Sequence, residues 1–176
     1  MAPIRHPQPR RRNNRAGFSL IELLIVIAII LVILTVAIPK FNKAVMGARE
    51  TGALKAITTI HTAEVQYYSS YNRFAASLTE LGPPASGSDG PSAAGLIERD
   101  LASGDKGGYK FTLSATPTGY AISAVPSQYG TSGSKTYFSD QGMAVHVHEG
   151  QEPATVNDPL QGATAAASTP APAQSK

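Results

Sequence analysis

The chain has 176 residues, a formal net charge of +3 and a pI of 9.2, with 42% hydrophobic and 15% charged residues. This length suits one ordinary globular domain and is too short for two large ones. The absence of cysteine excludes a disulfide framework, a thiolate metal site and a cysteine nucleophile. The basic pI raises the hypothesis of an anionic partner, such as nucleic acid or a lipid surface.

The first two segments are a basic leader and a long apolar run. Residues 1–17 contain five arginines, three prolines and no acidic residue, so we expect no independent folding there. Residues 18–39 follow, with only three polar side chains between Phe18 and Ile38. A helix of that length spans about 30 Å, the thickness of the hydrocarbon core of a bilayer. We therefore predict a transmembrane helix over 18–39, whose basic N-terminal side stays in the cytoplasm by the positive-inside rule.

An amphipathic helix is predicted to continue over residues 40–81, beyond Pro39. Its apolar face collects Ala53, Ala56, Ile57, Ile60, Tyr67, Tyr68 and Tyr71. Glu64 lies in the middle of this face and His61 at its edge. Two interpretations are open for this pair: a buried acid–base pair, or, as the favoured one, a lateral salt bridge or a carboxylate that reaches out to solvent.

The remainder predicts a loop, a small sheet and a tail. Gly and Pro end the helix, and residues 82–108 read as a variable loop with one or two helical turns near 96–102. The apolar period then changes to two, which predicts three to four short antiparallel strands over 109–150. Residues 151–176 are rich in Ala, Pro, Gln, Ser and Thr and are predicted to be disordered. The predicted fold class is α+β, a long N-terminal helix packed on a small antiparallel sheet.

Other combinations of polar residues favour no chemistry. His146 and His148 share one face of a predicted strand beside Glu149, but two converging imidazoles favour an exposed polar face over a metal site. Asp100 and Asp105 lack the spacing of a calcium loop. The sequence has no Ser/His/Asp arrangement, Gly-rich phosphate loop or paired-carboxylate cleft. We therefore expect no catalytic residue, no metal and no cofactor, and a protein that is not an enzyme.

The junction between leader and apolar run carries the functional information. A secretory signal has an apolar core of about 7–15 residues followed by a small-residue cleavage site. Here the small residue, Gly17, precedes the apolar run, and the run is longer. Cleavage at Gly17 would remove the charged leader and leave the apolar helix on the mature chain. An ordinary cleaved signal and an uncleaved membrane anchor are the alternatives.

The segment from Gly17 to Pro39 strongly resembles the prepilin family, which comprises type IV pilins and the pilin-like subunits of type II secretion. The resemblance rests on Gly17–Val26, Ala28-Ile29-Ile30 and Ala37-Ile38-Pro39. It implies a pilin-like fold, cleavage between Gly17 and Phe18 by a prepilin peptidase and N-methylation of Phe18. It also implies that Glu22 and Pro39 serve assembly, Glu22 by meeting the cleaved amine of a neighbouring subunit. Locally, Ser19-x-x-Glu22 fits a capping box.

The resemblance further implies a structural subunit of a type IV pilus-like filament. Its implied partners are copies of itself, other pilin-like subunits, the peptidase/methyltransferase, inner-membrane assembly machinery and membrane lipid. Its implied location is the inner membrane as a single-pass precursor, then a surface pilus or a periplasmic pseudopilus. A type II secretion pseudopilin and a single-pass anchored binding module are the alternative functions.

Two features of the chain depart from the family. Many pilins have a glycine where this chain has Leu31, and many close the C-terminal region with a disulfide, which a chain without cysteine cannot form.

Five of the 15 basic residues lie in 1–17, so the rest of the chain carries ten against 12 acidic residues, a balance of −2. We therefore expect no direct nucleic-acid binding, and the basic excess serves orientation and processing.

Overall fold

The computed structural model describes residues 18–116 and 118–163. The chain divides into two compact units, one ending at Lys40 and one beginning at Phe41. Within the described residues, the first unit consists of the start of a long helix. The second consists of the rest of that helix, two short helices and five strands, which confirms the predicted α+β class. The basic leader, 1–17, lies outside the described residues.

Helix α1 runs from Leu20 to Tyr71 and contains Pro39. It is followed by Asn72, which has a left-handed φ of 55° and donates its N–H to Tyr68 O at 2.8 Å. Asparagine is one of the few residues that adopt this conformation at the end of a helix. The prediction of one helix over 40–81 is therefore wrong beyond Tyr71.

Two short helices lie in the segment between α1 and the sheet. They are α2 (Leu78–Leu81) and α3 (Arg99–Ala102). Gly82 follows α2 and donates its N–H to Leu78 O and Thr79 O, both at 3.1 Å. A side chain at Gly82 would collide with the Cβ of Ala102, so the close approach of α2 and α3 depends on glycine. The helical turn predicted within 96–102 is present as α3.

The sheet has five antiparallel strands in the order β1-β2-β3-β4-β5. The strands are β1 (Asp105–Lys106), β2 (Tyr109–Thr116), β3 (Gly119–Pro126), β4 (Lys135–Asp140) and β5 (Val145–Glu149). The count exceeds the three to four predicted because β1 has only two residues, too few for an alternating pattern. Gly107 and Gly108, with φ of 62° and 84°, form the turn from β1 to β2, as tight two-residue hairpins require.

The second unit has one hydrophobic core, built from both kinds of predicted periodicity. On α1 the buried stripe is Ala53, Ala56, Ile57, Ile60, Ala63 and Tyr67. On the sheet the inward side chains are Tyr109, Phe111, Leu113, Tyr120, Ile122, Ala124 and Tyr137. Alternation along β2 follows the predicted period of two, with Tyr109, Phe111 and Leu113 buried and the residues between them exposed.

The first part of the predicted disordered tail is ordered against the sheet. Within residues 151–163, Pro159 O accepts the N–H of Val147 at 2.9 Å, and the N–H of Gln161 donates to Val145 O at 2.7 Å. Ala154 is buried, and Glu152 O accepts the Thr136 hydroxyl at 2.7 Å. This segment covers the free edge of β5, which would otherwise expose unpaired backbone groups. Prediction of disorder was wrong for 151–163, and 164–176 lie outside the described residues.

Candidate functional site

The start of α1 carries the residues that the sequence singled out for processing and assembly. Phe18 is 92% exposed and lies just before the helix. The Ser19 N–H donates to Glu22 Oε2 at 2.8 Å, and the Leu23 N–H donates to Ser19 O at 3.3 Å. This is the Glu22 half of the predicted capping box, in which a carboxylate satisfies a free N–H at the helix start. Gly17 lies outside the described residues.

The apolar part of α1 has no partner within its own described unit. Its large side chains between Leu20 and Ile38 are all exposed, from 43% at Leu34 to 80% at Leu20. Among the described residues, α1 is the one helix long and apolar enough to cross a membrane. Exposure of such side chains to water is unfavourable in proportion to their apolar area. This segment therefore requires lipid or other apolar helices around it.

Pro39 lies inside α1 and does not end it. Proline has no backbone N–H, so the carbonyl of Thr35, four residues earlier, has no intrahelical donor. The side-chain hydroxyl of the same Thr35 donates to the carbonyl of Val32, about one turn nearer the helix start, at 2.7 Å. The helix continues through the proline with one backbone hydrogen bond fewer than a regular helix has at this position.

Glu64 is a fully buried carboxylate in the second unit, outside the apolar segment 18–39. Its Oε2 accepts the N–H of Ala75 at 3.0 Å, and its Oε1 has no hydrogen-bond partner among the described residues. Burial raises the pKa of Glu64 to about 7, while the hydrogen bond from Ala75 lowers it. Nearby, Glu80 raises this pKa further and Arg73 opposes the rise. The favoured interpretation of a solvent-reaching or salt-bridged carboxylate is wrong.

His61 uses both ring nitrogens for contacts within the core. The Ser139 hydroxyl donates to Ala144 O at 2.7 Å, so its oxygen accepts from His61 Nε2 at 2.8 Å. Nδ1 then accepts from the Tyr120 hydroxyl at 2.6 Å. Burial lowers the pKa of His61, with Asp140 opposing the shift, which fits this neutral ring. His61 is therefore joined to the sheet and forms no acid–base pair with Glu64.

The segment after α1 is held by a second polar cluster. Glu80 Oε2 accepts from Arg73 Nη1 at 2.8 Å and from the Ala76 N–H at 3.2 Å. The Tyr67 hydroxyl lies 3.0 Å from Glu80 Oε2 and 2.5 Å from Pro91 O. Of the three tyrosines on the predicted apolar face, Tyr67 is buried, Tyr71 is half-buried and Tyr68 is exposed. The cluster ties α1 to α2 and to the loop at Pro91.

The two strand histidines bind a residue that the sequence analysis missed. His146 Nδ1 lies 2.6 Å from Asp158 O, and His148 Nδ1 lies 2.9 Å from Asp158 Oδ1. Hydrogen bonds from His148 and from the backbone and hydroxyl of Thr155 lower the pKa of Asp158 to about 2. In the described part of the chain, no group of three His, Asp or Glu side chains is placed to hold a metal ion.

Comparison with known proteins bears on the helix start. The prokaryotic N-terminal methylation motif matches residues 12–38. The chain is also 35% identical over 74 residues to the type IV major pilin protein PilA of Myxococcus xanthus (strain DK1622). The resemblance to type IV pilins is confirmed. No solved structure matches the chain.

The extent of the pilin similarity is limited. The alignment covers 42% of this chain and 32% of the Myxococcus pilin, so the chain spans about a third of that relative's length. The matched methylation motif includes Gly17, Phe18 and Glu22, the residues singled out from the sequence, and it ends one residue before Pro39. The methylation motif thus covers the helix start, whereas the polar clusters of the second unit lie outside it and are known from their hydrogen bonds alone.

Proposed function

We propose that the chain is the precursor of a structural, non-enzymatic subunit of a type IV pilus-like filament. The observation that supports this most is the methylation motif over 12–38, which coincides with an apolar helical segment whose side chains are all exposed. In this proposal the precursor is a single-pass inner-membrane protein with a cytoplasmic leader. After processing, the same apolar segment packs against those of other subunits in the filament.

Processing is proposed to occur between Gly17 and Phe18, followed by methylation of the new amine at Phe18. Glycine has no Cβ, so the backbone on the leader side of the bond can enter a narrow catalytic cleft. Phe18 is exposed and lies ahead of α1, which suits cleavage by a peptidase that needs a non-helical chain. The arginines of 1–17 would hold the junction at the anionic membrane surface, each contributing about 1 kcal/mol.

Glu22 is proposed to couple processing to assembly. Its carboxylate contacts the Ser19 N–H and is exposed within the chain. A carboxylate at the centre of a bilayer costs about 2.5–3.5 kcal/mol on insertion scales, and burial among packed helices requires a partner. Cleavage creates a positively charged amine at Phe18, so an adjacent processed subunit can supply that partner, whereas an unprocessed one cannot.

Intact-mass measurement of membrane-extracted protein tests the processing step. In a host that has the prepilin peptidase, we expect a species that begins at Phe18 and is heavier by one methyl group. Gly17→Ala should accumulate the full precursor, whereas the neighbouring change Ala16→Ser should be processed normally. A wild-type chain that keeps its leader in such a host would contradict the proposal and favour the anchored binding module.

Two substitutions of Glu22 separate assembly from capping. Glu22→Ala removes both the charge and the acceptor for the Ser19 N–H, whereas Glu22→Gln keeps an acceptor and removes only the charge. We expect both variants to insert normally and to lose filaments when shed material is imaged. Glu98→Gln, which changes an exposed carboxylate of the second unit, is the matched control. Normal filaments with Glu22→Gln would show that the charge is dispensable.

A further inference from the structure

A groove of about 480 Å³ lies between the first residues of the second unit and the loop after β3. Phe41, Asn42, Lys43 and Arg49 line it from α1, and Thr131 lines it from the loop. Arg49 joins the two sides, because its Nη1 donates to Thr131 O at 3.1 Å. The groove is thus a defined part of the folded unit, with apolar and cationic side chains on the same wall.

Within residues 18–116 and 118–163, the two cations of the groove have no acidic partner. In the described part of the chain, no ion pair involves Lys43 or Arg49, and no acidic residue lines the groove. The neighbouring carboxylate of Glu50 is engaged elsewhere, because its Oε1 accepts both the N–H and the hydroxyl of Ser134 at 2.9 Å. Arg49 gives one hydrogen bond to a carbonyl and keeps its other guanidinium donors, so the groove suits an anion.

The groove also lies next to the apolar segment in the chain. Lys43 follows Pro39 by four residues, and four residues of chain extend no more than about 14 Å. If residues 18–39 lie in a bilayer, Lys43 therefore stays within reach of the headgroup layer, because its flexible side chain extends further. Phe41 is 68% exposed beside it, as suits an aromatic side chain at a membrane interface.

We propose that this groove binds the phosphate-bearing headgroup of an anionic membrane lipid. Lys43 and Arg49 hold the phosphate, since both are cations that bind it and Arg can do so with two parallel hydrogen bonds. The apolar side chains of Phe41, Val45 and Met46 line the same groove and contact the upper part of the lipid chains. The inference rests on the proposed function, because it requires residues 18–39 to be inserted in a membrane.

The experiment measures which lipid the full-length chain retains. The protein is placed in nanodiscs of equal phosphatidylglycerol and phosphatidylcholine, released in mild detergent, and its lipid adducts are counted by native mass spectrometry. We expect a strong preference for phosphatidylglycerol, with a contribution of about fivefold from each cation, equivalent to about 1 kcal/mol. Lys43→Gln should lower this preference about fivefold and Lys43→Gln/Arg49→Gln about 25-fold.

The control is Lys55→Gln, an exposed lysine twelve residues further along α1 that should leave the preference unchanged. Lys43 forms no ion pair in the described part of the chain, whereas Arg49 donates to Thr131 O, so Lys43→Gln tests the groove even if Arg49→Gln disturbs the loop. A second arm adds excess inorganic phosphate, which should not displace the lipid. Displacement would assign the groove to soluble anions and overturn the inference.

Equal retention of both lipids by the wild-type chain, or equal losses with Lys43→Gln and Lys55→Gln, would also overturn it. Insertion into the nanodiscs is scored separately. A chain that fails to insert contradicts the proposed function and this inference together. A chain that inserts and shows no lipid preference contradicts the inference alone.

Discussion

The two parts of α1 are adjacent in one helix but have opposite relations to the rest of the chain. From Leu20 to Ile38 every large apolar side chain is exposed, and the run is apolar on all sides. From Ala53 to Tyr67 only one stripe is apolar, and it is buried in the core of the second unit. Helices that are apolar all round belong in lipid or in a bundle, whereas one apolar stripe suits a globular surface.

Threonines show how the second part of α1 tolerates water. Thr58, Thr59 and Thr62 are exposed, and each hydroxyl donates to the carbonyl four residues earlier at 3.0–3.1 Å. Along the first part Thr35 is the one threonine, and its hydroxyl donates to Val32 O at 2.7 Å, whereas the side chains around it are mostly Ile, Leu, Val and Ala, which offer no such bond. The second unit therefore buries its own apolar stripe, while the apolar segment buries none of its large side chains within the described residues.

The two carboxylates of the helix also differ in their surroundings. Glu22 and Glu64 each accept one backbone N–H, from Ser19 and Ala75 respectively. Glu22 is exposed, so it is available to a group outside the chain, whereas Glu64 is fully buried and serves the fold. The same side chain on the same helix thus caps the helix start at an exposed position in one place and anchors a loop from the core in the other.

The largest expected effect comes from removing a core side chain in only one of the two parts. Ile60→Ala should lower the free energy of unfolding of the second unit by about 2–5 kcal/mol, because Ile60 is fully buried and a cavity remains. Ile29→Ala, at a 54% exposed position, should leave it unchanged. Denaturant unfolding of the full chain in detergent, followed by tyrosine fluorescence, measures both. Equal losses would show that the apolar segment contributes to the same folded core.

The next effect is a pH dependence that belongs to Glu64. Burial raises its pKa from 4.5 in the unfolded chain to about 7, so the folded state binds the proton more tightly. Its contribution to stability is therefore complete below pH 4.5 and is lost as the pH rises through 7, by about 3 kcal/mol. Glu64→Gln should abolish this loss.

The test compares wild type with Glu64→Gln at about pH 5 and about pH 8. This subtraction is necessary because burial lowers the pKa of His61, whose contribution has the opposite sign and is lost as the pH falls below 6.5. We expect the stability of wild type relative to Glu64→Gln to fall as the pH rises. A difference in stability between wild type and Glu64→Gln that does not change with pH would mean that the pKa of Glu64 is the same in the folded and unfolded chain.

The apolar periodicity of the sequence predicted the helix and strand faces that the structure buries. The apolar run, the buried stripe of α1 and the alternation of Tyr109, Phe111 and Leu113 are properties of neighbouring residues, and the structure bears them out. The capping role of Glu22 was also predictable, because it depends on Ser19 three residues away. The roles of Gly17, Phe18 and Glu22 in processing and assembly come from the family resemblance and stay predictions.

The features that were missed depend on partners distant in the sequence. The end of α1 at Tyr71 is stabilised by Glu64, which accepts the N–H of Ala75 eleven residues later. Residues 151–163 contact β4 and β5 through several groups, among them Asp158, which lies against His146 and His148. A Glu at the centre of an apolar stripe and an Asp inside an Ala- and Pro-rich segment were the only signals, and neither identifies its partner.

A smaller effect is expected from the tyrosine that ties α1 to the loop. Tyr67→Phe removes the hydroxyl that lies between Glu80 Oε2 and Pro91 O and should destabilise the second unit by about 1 kcal/mol. Tyr68→Phe is the matched control, because Tyr68 is exposed and has no such bond among the described residues. Unfolding in denaturant measures both variants. Identical stabilities would show that the hydroxyl of Tyr67 is satisfied equally well by water in the unfolded chain.

The smallest change is expected at Pro39, between the two parts of α1. In an isolated helix alanine is favoured over proline by about 3 kcal/mol. Because α1 is already continuous from Leu20 to Tyr71, Pro39→Ala has no additional turn to form and should leave the far-UV circular dichroism of the full chain unchanged. Ile38→Ala is the control for the loss of an apolar side chain. A clear gain of helical signal with Pro39→Ala alone would mean that the wild-type helix is interrupted there, and that the two parts of α1 are separate helices.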